Sequence, residues 1–350
     1  MLLAWGGSHR TSVDGELVRW GAEFARVEGT VRRPITGSLT AGTTTDVIEV
    51  VLARSSTGGA RKRIRVNGVA RRAANLVGAL RMVLFAPEEM LLVIGSPGLR
   101  REALDRLAGQ RSAAYLRALA TYGRALQQRN GLLRMIREEE ASRDDLRFWD
   151  ATFLEAGSAV VAERLRTLDA LAEPLAQAHA EIAPDEAATG RLCLRYATNA
   201  PQLTSETPLD ALTRRLAETA EKEVWNGTTL VGPHRDDMTF VLDERPLAAF
   251  ASRGQQRTAI LALKLAELDL LTALDGRPPL LLLDDVFSEL DPERRSHLVR
   301  RIAELPQAFV TTTTLADLDP ALRSIGATWA VVPTADGSAR LKASATAGIA

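Results

Sequence analysis

The fold is decided by the stretch Leu280-Leu281-Leu282-Leu283-Asp284-Asp285-Val286-Phe287-Ser288-Glu289-Leu290-Asp291. Four leucines followed by two acids are typical of a strand that is buried on both faces of a parallel sheet. Because such sheets bind ligands beyond the carboxyl ends of their strands, the pattern predicts a ligand site at the two acids. The alternative is that the acids merely terminate a strand, and the local pattern alone prefers neither interpretation.

The two acids are predicted to have different tasks, because successive side chains on a strand point to opposite faces. Asp284 is predicted to hold Mg²⁺, chiefly through water, since this ion sheds its hydration shell reluctantly. Asp285 is predicted to orient or deprotonate an attacking water. The apolar run Ala308-Phe309-Val310-Thr311 predicts a second buried strand nearby.

A second segment of interest precedes this strand and begins a leucine-rich helix: Ser252-Arg253-Gly254-Gln255-Gln256-Arg257. The free N–H groups and positive dipole end of a helix attract phosphate, and Gly254 lets a backbone come close. Ser252 followed by Gln255 is also a capping box. The local pattern favours the cap, whereas the position of this segment before the double-acid strand favours a phosphate contact.

Composition limits the classes of function. The 350 residues carry a formal net charge of +0, so nucleic-acid binding requires a local patch rather than a global field. One basic cluster beside the hairpin-turn signal Asn67-Gly68 could neutralise phosphates; it consists of Arg61, Lys62, Arg63 and Arg65. Arg100-Arg101 form a smaller one. No aromatic residue is interleaved with the first cluster, and a short charge run is more often a solvated face.

Location and domain organisation follow from the distribution of residue types. The single cysteine, Cys193, excludes an intramolecular disulfide and fits a reducing cytoplasm. No apolar run reaches the length of a membrane span. Apolar residues change to helical spacing after about Leu99. We therefore predict an α/β head formed by residues 1–98 and 227–350, into which an α-helical lobe of residues 99–226 is inserted.

These segments, in this order, resemble the RecF family of SMC-related, ABC-type ATPases. The resemblance covers nearly the whole chain and includes Gly7–Thr11, Phe85–Glu88, Ile94–Arg101, Tyr122–Asn130, the Leu-Val-Gly-Pro-His-Arg-Asp-Asp run at 230–237, and the two segments above. It implies a P-loop NTPase head that dimerises around ATP and Mg²⁺. It also implies binding to single-stranded or gapped DNA, recombinase loading with RecO and RecR partners, and a part in the SOS response.

The resemblance also implies roles for individual residues. Ser252, Gly254 and Gln255 would touch the γ-phosphate of ATP held by the opposite subunit. Asp284 would be the magnesium acid, Asp285 the catalytic carboxylate, and Asp291 a residue of the D-loop at the dimer seam. Asp291 followed by Pro292 is also a helix N-cap with its first helical residue, and both roles can coexist.

One element of the pattern is missing. A phosphate-cradling loop requires G-x-x-x-x-G-K-[ST], and none of the four lysines has that context. Either the start codon is misassigned and the fold is incomplete at the N-terminus, or the chain is a pseudo-ATPase that contributes only signature and helical surfaces. Intact downstream motifs favour the first explanation. Both predict weak or absent ATPase activity for these 350 residues.

A run of four threonines bears on the class of ATPase. Thr311-Thr312-Thr313-Thr314 stands where a transporter ATPase would carry a switch histidine, which argues against a transporter subunit. The run from His234 to Asp237 is either a structural ion-pair cluster or part of a catalytic site, and the sequence does not separate the two.

Overall fold

The computed structural model describes residues 1–9, 11, 13–34, 42–54, 59–335 and 337–343. The chain divides into two compact units. The first unit consists of Met1–Val83 with Met90–Pro279, and the second of Leu84–Glu89 with Leu280–Ala350. The division into a head of residues 1–98 and 227–350 and a lobe of residues 99–226 remains a prediction.

The strands are β1 Phe24–Pro34, β2 Thr43–Arg54, β3 Ala60–Val66, β4 Val69–Arg71, β5 Met82–Phe85, β6 Leu192–Ala197, β7 Asp237–Leu242, β8 Arg245–Pro246, β9 Leu280–Asp284, β10 Ala308–Thr311, β11 Trp329–Pro333 and β12 Ala339–Ala343. The α-helices are α1 Leu2–Trp5, α2 Leu91–Ile94, α3 Pro97–Arg111, α4 Ala113–Arg137, α5 Leu146–Ile182, α6 Pro184–Thr189, α7 Pro208–Asn226, α8 Leu247–Phe250, α9 Arg253–Ala273, α10 Pro292–Ala303 and α11 Pro320–Ile325. Among the described residues, no helix combines the length and the apolarity needed to cross a bilayer.

The first unit begins with an antiparallel sheet in the order β1-β2-β3-β4. The turn between β3 and β4 is the predicted Asn67-Gly68 hairpin, and both residues have positive φ, 52° and 77°. Alternate residues of β2 point inward, so Ile48, Val50 and Leu52 are almost fully buried. The opposite face of the sheet carries mostly polar side chains, as expected for a half-buried antiparallel sheet.

The rest of the first unit is mainly helical. The long helix α5 packs against α4, α7 and α9, and Tyr115, Phe153 and Val160 are buried in the core between α4 and α5. A small antiparallel sheet in the order β6-β7-β8 completes this unit. Residues 99–226 form mainly helices, as the spacing predicted, together with the strand β6.

The second unit is built on β9 and β10, which are parallel, and the residues of β5 that belong to this unit, Leu84 and Phe85, lie in the strand on the other side of β9. Leu281 and Leu283 are buried, whereas Leu280 and Leu282 are only half-buried. The prediction that Ala308–Thr311 is a buried strand is wrong, because Phe309 is 54% exposed. The physical reason is position, since β10 is the edge strand of this sheet within the described residues.

Candidate functional site

The carboxyl end of β9 brings together both predicted acids and a threonine. The parallel register places Thr311 opposite Asp284. The Thr311 hydroxyl donates a hydrogen bond to Asp284 Oδ1 at 2.5 Å and accepts one from the Asp285 amide at 3.2 Å. The Thr311 carbonyl oxygen also accepts from the Asp285 amide, at 3.2 Å. One residue of the neighbouring strand therefore fixes both acids.

The two acids do not diverge as successive strand residues, as the sequence suggested. Asp284 is the last residue of β9, and Asp285 follows it with a left-handed φ of 51°. This conformation is uncommon for a residue with a Cβ atom, although aspartate tolerates it better than most. Strained backbone of this kind is concentrated at functional sites, so the geometry is consistent with a role for Asp285.

The donor set at this position fits a hard cation. Asp285 Oδ1 is buried and meets no hydrogen-bond partner among the described residues. The described residues contain no cluster of three or more His, Cys, Asp or Glu side chains placed to hold a metal ion. Magnesium in nucleotide sites needs only one or two carboxylates, because water and substrate phosphates supply the other ligands. Two neighbouring carboxylates can therefore supply the protein ligands of such an ion, and the assignment of Asp284 to magnesium remains a prediction.

The start of α9 forms the predicted capping box. Ser252 Oγ accepts a hydrogen bond from the Gln255 amide at 3.2 Å, and Gln255 Oε1 accepts one from the Ser252 amide at 2.9 Å. Ser252 and Gly254 are exposed, and a Cβ atom added at Gly254 would lie 3.7 Å from Ser252 Oγ, an ordinary van der Waals contact. The cap thus leaves the helix end open, as a contact with a phosphate in trans requires. That contact itself remains a prediction.

Asp291 caps α10 as predicted. Its side chain accepts a hydrogen bond from the Arg294 amide at 3.0 Å and pairs with the Arg294 guanidinium, and Pro292 occupies the first helical position. Burial alone would raise the pKa of Asp291, but the hydrogen bonds from Arg294 outweigh it and lower the pKa below its usual range. Asp291 therefore remains ionised. Its predicted place at a dimer seam is not tested by these contacts.

Strand periodicity separates the predicted DNA-binding residues. Arg61, Arg63 and Arg65 lie on the outer face of β3. Lys62 points to the other face, where its ammonium pairs with Asp14 at 2.8 Å. The structure therefore places the three arginines together and the lysine apart, which makes Lys62 a weaker candidate than the sequence suggested.

The loop before β7 is held by buried arginines. Arg164 donates to the carbonyl oxygen of Pro233 at 2.7 Å and pairs with Asp105 at 2.8 Å. Arg100 forms a two-pronged pair with Asp237, with distances of 2.8 and 2.7 Å. Arg100 is only 8% exposed, so the suggestion that it contacts DNA phosphates is wrong. These contacts support the structural interpretation of this segment.

His234 is part of the same buried network. Its Nδ1 lies 2.6 Å from the Tyr122 hydroxyl, and its Nε2 lies 3.3 Å from the carbonyl oxygen of Thr229. Burial lowers the pKa of His234 from 6.5 to about 4. The imidazole is therefore neutral near pH 7, and these contacts suit a ring that donates from Nε2 and accepts at Nδ1. Gly232 lies beside this pair and has a positive φ of 123°. A Cβ atom at this position would lie only 2.5 Å from the Tyr122 hydroxyl oxygen, so a larger residue would displace the tyrosine.

Thr311 is the site residue that the sequence analysis missed. The threonine run was noted only for its lack of a histidine. The sequence carries no local signal for this role, because it depends on the register of β10 against β9, which sets Thr311 opposite Asp284. Ser252, Gly254 and Gln255 belong to the first unit, whereas Asp284, Asp285 and Asp291 belong to the second.

Comparison with solved structures identifies the class of protein. The chain superimposes with a TM-score of 0.82 on RecF-ATPrS, described as a recombination mediator protein in the RecFOR pathway, at 29% identity over 97% of this chain and 86% of that one. The RecF-ATP structure gives a TM-score of 0.79 at 30% identity, over 91% and 82% of the two chains. The fold is therefore that of an α/β ATPase head of the ABC/SMC type, as predicted.

Sequence comparison then identifies the family. The DNA replication and repair protein RecF of Limosilactobacillus fermentum is 39% identical over 320 residues, which is 90% of this chain and 82% of that protein. RecF of Herpetosiphon aurantiacus is 44% identical over 265 residues, which is 74% of this chain and 66% of that protein. A comparison with protein-family models gives no match. The chain belongs to the RecF family, and a role in DNA replication and repair follows from that membership.

Proposed function

We propose that the chain is a nucleotide-dependent DNA-repair clamp of the cytoplasm, which binds single-stranded or gapped DNA and dimerises around ATP. The observation that carries the proposal is the pair of acids fixed by Thr311 at the carboxyl end of β9, in a chain of the RecF family. The solved relatives with ATP and ATPrS add support. Loading of a recombinase with RecO- and RecR-type mediators, and a part in recombination and the SOS response, belong to the same proposal.

In this function Asp284 would hold the magnesium ion that accompanies ATP, and the ion would neutralise phosphate charge when bound. Asp285 would hold the attacking water by hydrogen bonding, with its carboxylate kept in place by the backbone turn. The open end of α9 would present the Gly254 amide and the Ser252 hydroxyl to a phosphate of the facing subunit. Asp291 would stabilise the start of α10 in the D-loop at the dimer seam.

The test is binding to labelled gapped, single-stranded and fully duplex DNA with and without Mg²⁺-ATP, measured by fluorescence anisotropy. Sedimentation velocity on the same samples reports the dimer. We expect gapped DNA to bind more tightly than blunt duplex, and the dimer to increase with nucleotide. Failure to bind any of these DNAs at low salt would contradict the proposal.

A second candidate function is that of a pseudo-ATPase interaction module. It is favoured by one observation, the absence of a G-x-x-x-x-G-K-[ST] loop from the 350 residues, because that loop supplies most contacts to the β- and γ-phosphates. Both candidates predict weak or absent ATPase activity for these 350 residues, so DNA binding with and without Mg²⁺-ATP separates them. The module predicts DNA binding that does not respond to nucleotide, whereas binding that tightens with nucleotide would contradict it.

A further inference from the structure

The outer face of the first sheet carries an aromatic side chain among its arginines. The strand register places Phe24, Ala53 and Arg61 in one row across β1, β2 and β3. Arg26 and Arg63 stand at the two ends of the next row. Phe24 is 58% exposed, although it is apolar. We call these residues, together with Arg65, the arginine face. The run from Arg61 to Arg65 contains no aromatic residue in the sequence, but strand pairing brings Phe24 into the same row as Arg61.

Free positive charge is concentrated beside Phe24. Arg26 and Arg65 share a carboxylate, because Glu49 lies 2.6 Å from the first and 3.6 Å from the second. Within the part of the chain that the structure describes, no carboxylate lies within ion-pair distance of Arg61 or Arg63. The two unpaired guanidinium groups therefore occupy the rows nearest the exposed phenyl ring.

A second exposed aromatic lies at the same end of the sheet, but beside Arg54, which strand alternation places on the face opposite Arg61 and Arg63. Trp20, in the turn before β1, is 91% exposed, and the Arg54 guanidinium lies 5.7 Å from its ring centre. Arg54 also donates to the carbonyl oxygen of Val18 at 3.0 Å, which fixes its position. Phe24 and Arg54 line one open cleft, together with Glu23 and the small residues Gly21, Ala22 and Ala53. Glu23 is the one acid in this lining.

We propose that this end of the arginine face binds single-stranded DNA, with phosphates on Arg61 and Arg63, one base stacked on Phe24, and a further base stacked on Trp20 where the strand passes around the end of the sheet. The proposal rests on the DNA binding proposed above and adds a site and a strand preference. Exposed aromatic rings beside unpaired arginines suit unpaired bases, which offer a π-face to a ring and a phosphate to a cation. A duplex offers phosphates but keeps its base faces stacked, so it can use only the arginines.

The test uses the purified 350-residue chain and fluorescein-labelled oligo(dT), with binding measured by anisotropy at low salt. Phe24→Leu and Trp20→Leu remove a ring but keep apolar bulk, and each is expected to weaken binding about tenfold. Phe24→Tyr and Trp20→Phe keep a ring and are expected to bind nearly as the parent does. Trp225→Leu is the matched control, because Trp225 is 83% exposed on α7.

Base stacking and charge are separated by two further ligands. On an abasic oligonucleotide and on blunt duplex, Phe24→Leu and Trp20→Leu should have no effect. Arg63→Ala should weaken binding to all three ligands and reduce the slope of log affinity against log salt by about 0.7 on single strands. Arg147→Ala is the control for charge, since Arg147 is an exposed arginine of α5.

The outcomes distinguish the proposed single-stranded DNA site from the more general proposal that the chain binds DNA. If the chain binds DNA but the two leucine variants behave like Trp225→Leu, the proposed site is wrong and DNA binding stands. If the chain binds no DNA, both are wrong. If the leucine variants change the sedimentation coefficient and leave DNA binding unaltered, this surface contacts a second copy of the chain, and the proposal is again overturned.

Discussion

Thr311 and Asp284 face each other in the parallel pair β10 and β9, and a hydrogen bond of 2.5 Å joins the threonine hydroxyl to Asp284 Oδ1. Thr311→Val keeps the shape of the side chain and removes this bond to a charged group. We expect the free energy of unfolding to fall by about 1 kcal/mol, measured by urea denaturation. Thr311→Ser keeps the hydroxyl and should retain most of the parent protein's stability. Thr313→Val changes an exposed threonine and should not alter the free energy of unfolding. An equal loss in the Thr311 and Thr313 variants would contradict this prediction.

The backbone at Asp285 is predicted to reduce stability. A left-handed residue with a Cβ atom costs about 1 kcal/mol more than glycine, and Asp285 also buries an oxygen without a described partner. Asp285→Gly should therefore be more stable than Asp285→Ala by about 1 kcal/mol in thermal or urea unfolding. If alanine proves as stable as glycine, the left-handed turn is not present in solution.

The two roles assigned to Ser252 can be separated by choosing the replacement. Ser252→Ala removes the N-cap and should lower the free energy of unfolding by about 1 kcal/mol. Ser252→Asp keeps a capping oxygen, so stability should be retained. Its negative charge would repel a phosphate from the facing subunit, so nucleotide-dependent dimerisation in sedimentation velocity should be lost. A Ser252→Asp protein that still dimerises with nucleotide would argue against the contact in trans.

Acid is predicted to destabilise the first unit through His234. Its pKa is about 4 when folded and 6.5 when unfolded, so the unfolded chain binds more protons between these values. The stability linked to His234 is therefore complete above pH 6.5 and is lost as the pH falls towards 4, by up to about 3 kcal/mol. Unfolding curves at pH 7 and pH 5 measure the loss.

His234→Gln is the control for this effect, because glutamine can make similar hydrogen bonds without titrating. Asp236 is nearby, and burial raises its pKa, so it contributes a pH dependence of the opposite sign. The difference between the parent and His234→Gln cancels that contribution. If both proteins lose the same stability between pH 7 and pH 5, the imidazole is not kept neutral by the fold.

Much of the fold could be predicted from local pattern. The leucine run, the Asn67-Gly68 turn, the Ser252 and Asp291 caps and the helical spacing after Leu99 each depend on a few neighbouring residues. Such features are encoded where they occur. The Ser252 cap was predicted with its partner Gln255, and the Asp291 cap with Pro292 at the first helical position.

The remaining features depend on pairing between distant segments. The exposure of Phe309 depends on which strand lies at the edge of a sheet, and the role of Thr311 depends on the register of β10 against β9. Arg100 belongs to a basic pair in the sequence, but in the fold it pairs with Asp237, which lies 137 positions further along the chain. A run of charged residues in the sequence shows which charges are present. Only the fold shows which of them already form ion pairs.

Within the described part of the chain no strand pairs with the outer side of β10, and this has a practical consequence for handling the purified chain. An edge strand that exposes unpaired amides and a phenyl ring can pair with the same strand of another molecule, and natural sheets usually block such edges with charge or proline. The segment Ala308–Thr311 contains neither. Concentrated solutions should therefore scatter light increasingly with time, and Phe309→Lys should slow that clouding.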